Sequence, residues 1–222
     1  MRPILEFRTS ISAHGEMFEL LADCIDKGTS PQSEHASGAL QMLTFGNERN
    51  ALSTLQIDRL PEILLNAAKS GSPGESLQAV SLIAQLSSFE SISLKFLTHF
   101  AALDDSLECL LRILARDPMD RSGIGIKVQA AICLRNLLTV PEVCDLAHGI
   151  KGLVPTCIEC FIASKGMLRL RVLSTLKTMA GDEKMKTTIV SLYIFLSLFS
   201  VYSFPLLYSD CILQFYPTLV CC

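Results

Sequence analysis

The sequence predicts an all-α chain built from a repeated helical unit. Two observations carry this: one leucine-rich step recurs at near-constant spacing, and strand signals are weak over the first 186 residues. The steps are Leu40/Leu43, Ile83/Leu86, Leu134/Leu137 and Leu176/Met179, each closing a run with apolar residues three and four apart. They lie 43, 51 and 42 residues apart, near the period of about 40 to 47 residues of paired- or triple-helix repeats. No Asn-Gly or Asp-Gly turn separates alternating segments, so hairpins have no support.

The longest interval has a visible cause. It contains Asp117-Pro118-Met119-Asp120-Arg121-Ser122-Gly123, a polar stretch with proline and glycine that reads as a lengthened loop, with Gly123-Ile124-Gly125 inside it. A second set of landmarks, Leu60-Pro61, Leu107 and Leu153-Val154-Pro155, opens the helix before each long one. Proline suits a first turn, where its missing N–H has no partner to lose. Ser72-Pro73-Gly74-Glu75 and Thr139-Val140-Pro141-Glu142 read as capping boxes, Gly181 reads as a helix stop, and Gly38 is expected to weaken its long helix by about 1 kcal/mol.

Residues 16 to 186 resemble armadillo repeats. The resemblance rests on Val128-Gln129-Ala130-Ala131-Ile132-Cys133-Leu134-Arg135-Asn136-Leu137-Leu138, similar to the third helix of that family's unit, where leucine, a polar residue and Asn-Leu recur. It implies a right-handed α-solenoid of about four units, approximately 16–57, 58–105, 106–150 and 151–186, within a repeat domain of residues 1–186. HEAT repeats share nearly the same helical skeleton. It also implies that the third helices line a concave groove that receives an extended peptide of a partner protein. The array lacks polar terminal repeats, so a fragment or isoform of a longer protein is expected, poorly soluble alone.

Spacing selects the residues that face outward. The position before each closing apolar residue holds Met42, Gln85, Asn136 and Thr178; two turns earlier on the same face stand His35, Gln78, Gln129 and Arg171. In the armadillo family an asparagine in the first row holds the partner's backbone amides. Here only Asn136 keeps it, and Gln85 has the same amide chemistry. The groove tryptophans of the import-receptor members are absent, because the chain has no Trp.

Charge adds a preference. Residues 121–186 hold ten Lys/Arg against five acids, a balance of +5, while the first 120 hold nine against sixteen, or −7. With Arg135, Arg171 and Lys177 in the groove, the expected ligand is an acidic or phosphorylated protein segment; solvated helix faces would carry the same charges. A net charge of −3 gives no footprint for nucleic acid.

No catalytic constellation is present, and no cofactor or metal is expected. Cys157-Ile158-Glu159-Cys160 is the single C-x-x-C and lacks a second ligand pair at zinc-finger spacing. The four histidines, at 14, 35, 99 and 148, form no H-x-x-x-H pair. Nine cysteines, an odd number scattered through helical runs, fit reduced thiols, so the expected location is cytoplasmic, with the nucleus as an option.

Residues 187–209 carry no charge, enough to cross a bilayer as a helix. Three readings of the 187–222 tail stand side by side: a membrane anchor leaving the repeats in the cytosol, the divergent end of a longer solenoid, or a final helix covering the last unit. Cys221-Cys222 resembles a prenylation end, without the matching GTPase motifs upstream.

Overall fold

The computed structural model describes residues 16–70, 72–89, 93–116 and 121–199. Among them the chain is all-helical, with no strand. Twelve helices follow in order: α1 (Glu16–Lys27), α2 (Ser30–Thr44), α3 (Glu48–Leu55), α4 (Leu60–Lys69), α5 (Pro73–Leu86), α6 (Leu94–Ala102), α7 (Ser106–Ala115), α8 (Arg121–Leu137), α9 (Pro141–Ala147), α10 (Leu153–Ala163), α11 (Gly166–Met179) and α12 (Glu183–Phe199).

The four leucine-rich steps close α2, α5, α8 and α11, and their side chains are why these segments are helices in this place. Leu40, Ile83, Leu86, Leu134, Leu137 and Met179 are fully buried, and an aliphatic side chain so buried contributes about 1.5–3 kcal/mol. These long helices pack in consecutive pairs, α2 on α5, α5 on α8 and α8 on α11. A second series, α1, α4, α7 and α10, packs in the same order beside it, and α12 lies against α10. The short helices fill the joints: α3 on α2, α6 on α4 and α7, and α9 on α6. One continuous apolar core runs from Phe18 to Met185.

Helix ends follow the chemistry of the chain, with three departures from expectation. Pro61 sits in the first turn of α4, and α10 starts at Leu153 behind Gly152, whose φ of 86° is left-handed. Ser72 makes no side-chain cap on α5; Glu75 instead accepts from the Ser70 hydroxyl, which lies closer to the carboxylate once α4 ends. Thr139 does not cap α9, which begins after Val140; its hydroxyl turns back to the Asn136 carbonyl at 2.6 Å, closing the end of α8. Reciprocal capping appears instead at α2, where the Thr29 N–H donates to Gln32 Oε1 at 2.8 Å.

The third departure concerns the lengthened interval. Gly123 and Gly125 lie inside α8, not in a loop. An opening turn tolerates glycine, and Gly125 faces Leu77 of α5, where a Cβ would sit in ordinary contact 3.8 Å from Leu77 Cδ1.

Of the uncharged tail, residues 187–199 continue α12 and residues 200–222 lie outside the described residues. Among the described residues no single helix is long and apolar enough to cross a membrane. A pair formed by Gly123–Leu137 and Pro141–Ala147 has the length and composition but is bent by 116°, and its Leu134, Leu137 and Val143 are core residues.

Candidate interaction surface

Successive long helices are stitched by side chains that reach back to the helix before, at matching positions. On α5, Gln85 Nε2 donates to the Gln41 carbonyl of α2 at 2.8 Å and to the Thr44 hydroxyl. On α8, Asn136 Nδ2 donates to the Ala84 carbonyl of α5 at 3.4 Å and to the Ser87 hydroxyl at 2.8 Å. Gln85 and Asn136 are 51 residues apart and their acceptors 43 apart, the same offsets that separate the leucine steps.

A second stitch recurs one turn away. Cys133 Sγ donates to the Val80 carbonyl at 3.4 Å, and Thr175 Oγ1 to the Ala131 carbonyl at 2.9 Å. These donors are 42 apart and the acceptors 51 apart, again the offsets of the leucine-rich steps. Hydrogen bonds of this kind contribute about 0.5–1.5 kcal/mol each when buried and paired, and their main effect is to fix helix register.

The residues singled out by spacing and by charge therefore differ in what they do. Asn136 is 5% exposed, its amide N–H groups are committed to α5, and its Oδ1 accepts from Arg135 Nε at 3.0 Å and Nη2 at 2.6 Å. Arg135 is thereby held flat beside Asn136. Gln85 is half-buried with its amide spent on α2. Thr178 follows neither neighbour: its hydroxyl returns to the Ser174 carbonyl of its own helix at 3.2 Å.

Gln78, Gln129 and Arg171 keep the outward position and are half-buried, while Lys177 is exposed. Gln78 lies beside Gly38 of α2, where a Cβ would meet its Oε1 at 3.6 Å. The Arg171 Nε atom is buried with no hydrogen-bond partner, a guanidinium with donor capacity left over. His35 and Met42, the first-unit members of the two rows, are exposed. The surface therefore offers amides at its middle and cations at its α11 end.

Titratable groups elsewhere serve the scaffold. Burial works against the Glu75 charge, but the hydroxyls of Ser70, Ser33 and Ser30 outweigh it and hold the carboxyl below the usual range. The Met185 backbone N–H, then the His148 ring, lower Asp182; His148 Nε2 is 2.9 Å from Asp182 Oδ1, which caps α12 through Met185 at 2.9 Å.

The C-x-x-C pair faces the core. Burial pushes Cys157 up to about 12 and also raises Cys160 and Cys133, so these thiols are protonated packing groups and not nucleophiles. No group of three or more His, Cys, Asp or Glu among the described residues has a geometry fit for a metal ion. A shallow cleft of about 320 Å³ lies between the end of α9, the start of α10 and α12, lined by His148, Gly152, Pro155 and Lys184.

Sequence spacing placed Gln85 and Asn136 on an outward row, which the structure corrects, since both amides reach back to the preceding long helix and Asn136 is buried; it also missed the stitching role of Cys133 and Thr175. The signal was present, since both stand three residues before the row of Asn136 and Thr178. No family model, curated protein or solved structure matches the chain.

Proposed function

We propose that the chain is a non-enzymatic scaffold of the armadillo-like solenoid kind, binding an extended acidic or phosphorylated segment of another protein along α2, α5, α8 and α11. The observation that carries this reading is the recurring stitch: Gln85 to α2 and Asn136 to α5 repeat at the period of the chain. A shared register aligns equivalent side chains across neighbouring helices, and such a row suits a ligand whose own residues repeat along an extended backbone.

Specificity comes from the row that is not spent on stitching. Gln78 and Gln129 present amides to a peptide backbone, and Arg171 and Lys177 supply charge at the α11 end. Arg171 is half-buried, and a guanidinium suits a forked contact with carboxylate or phosphate. Asn136, held by Ser87 and Arg135, positions the surface.

The test is anisotropy titration of the folded full chain with extended acidic, phosphorylated, neutral and basic peptides. The reading expects acidic and phosphorylated peptides to bind and Arg171→Glu to weaken them at least about tenfold, the equivalent of 1.4 kcal/mol, with helicity unchanged. Equal binding of all four classes, or of wild type and the variant, would refute it.

A further inference from the structure

The four long helices divide by the sign of their charge. α2 and α5 carry Glu34 and Glu75 but no lysine or arginine. α8 and α11 carry Arg121, Lys127, Arg135, Arg169, Arg171 and Lys177 but no aspartate or glutamate. Because these helices pack in that order, the series is acidic at one end and basic at the other.

At the acidic end one carboxylate borders the row of Gln78, Gln129 and Arg171. Glu34 is half-buried, and its carboxylate covers Gly74 of α5, where any Cβ would run into it. Gly74 stands four residues before Gln78, on the same helix face. The first turn of α5 attracts a negative group, which accounts for the placement. Glu75 differs, since its carboxylate turns to the hydroxyls of Ser70, Ser33 and Ser30. At the basic end Arg171 and Arg135 are both half-buried, and Arg135 is oriented by Asn136 Oδ1.

The separation of the two ends sets a length. Packed helices lie about 8–10 Å apart, so from α5 to α11 is roughly 16–20 Å. An extended chain rises about 3.3 Å per residue and returns a side chain to the same face at every second one, so about six residues span the gap with both side chains facing the protein.

We infer that the segment received along these helices carries both signs of charge: an anionic side chain for Arg135 and Arg171, and a lysine or arginine about six residues away for Glu34. This rests on the peptide-binding reading above and adds to it the second charge. The two ends also fix the register of the ligand, because a segment shifted toward either end brings like charges together.

Anisotropy titration of the folded full chain with three extended peptides tests the inference: an acidic pair alone, the same pair with a lysine about six residues away, and the pair with the lysine beside it. The spaced lysine is expected to tighten binding about threefold over the pair alone, within what one partly exposed ion pair contributes, and the adjacent lysine to weaken it. Glu34→Gln removes the gain and leaves affinity for the acidic pair within about twofold. Glu34→Lys reverses the preference, so that the spaced lysine weakens binding, and both variants keep wild-type helicity. A spaced lysine that adds nothing, or a gain that survives Glu34→Gln, overturns the inference and leaves the acidic-segment reading standing. Acidic peptides that fail to bind, or that bind Arg171→Glu as tightly as wild type, overturn both.

Discussion

The Asn136 side chain on α8 donates to the Ser87 hydroxyl at the end of α5, 2.8 Å away, while its oxygen accepts both Nε and Nη2 of Arg135. One amide thus ties two long helices and orients a cation. At 5% exposure there is little water to replace either contact. Asn136→Ala is therefore expected to cost about 1–3 kcal/mol of stability, the range for stranding buried partners, read as a lower urea midpoint. The loss should be smaller in a Ser87→Ala background, because the two residues share one bond. An Asn136→Ala chain as stable as wild type would show that this amide holds nothing within the fold.

The thiols give a second prediction. Cys24 is exposed, whereas Cys133 and Cys157 are fully buried and burial raises both, Cys157 to about 12. Since the thiolate is the reacting form, Cys24 should modify first among the described cysteines with a disulfide reagent at neutral pH. Cys133 and Cys157 should react only at the rate of unfolding. Mass spectrometry of the labelled peptides checks the order, and early labelling of Cys157 would contradict its place in the core.

The helices were legible in the sequence because burial writes a period into it. Leu134 and Leu137 must face the core of α8, and the same requirement at Ile83 and Leu86 reproduces the spacing. The fate of the polar row was less legible. Spacing shows which side of the helix Asn136 occupies, but its reach to Ser87 depends on how closely α5 and α8 approach. Capping failed for a similar reason: Ser72 and Glu75 have the right spacing, yet Ser70 reaches Glu75. Gly123 and Gly125 read as a loop because glycine usually breaks helices, yet both lie in the opening turns of α8.

Gly38 and Gly152 should respond in opposite directions to alanine. Gly38 lies within α2 with an ordinary conformation, and its Cβ would find Gln78 Oε1 at 3.6 Å, normal contact. Gly38→Ala is expected to stabilise by about 0.5–1 kcal/mol through lower unfolded-state entropy. Gly152 has φ of 86°, where a side chain is strained, so Gly152→Ala should destabilise by about 1 kcal/mol or more. Thermal melts of the two variants should move up and down respectively; a rise for both would mean that the turn before α10 relaxes freely.

His148 and Asp182 tie part of the acid stability to one contact between the end of α9 and the start of α12. The Asp182 carboxyl is held low, first by the Met185 N–H and then by His148. A carboxyl depressed in the folded state contributes stability that is fully present above its unfolded value of about 3.9 and disappears as pH falls through the folded value. Asp182→Asn keeps an oxygen for the Met185 N–H but removes the charge facing His148. The variant should therefore be less stable than wild type near neutrality, and the gap should close as pH drops below about 4. Urea midpoints measured across that range decide the matter, since a gap independent of pH would place the loss in packing and not in the charge of Asp182.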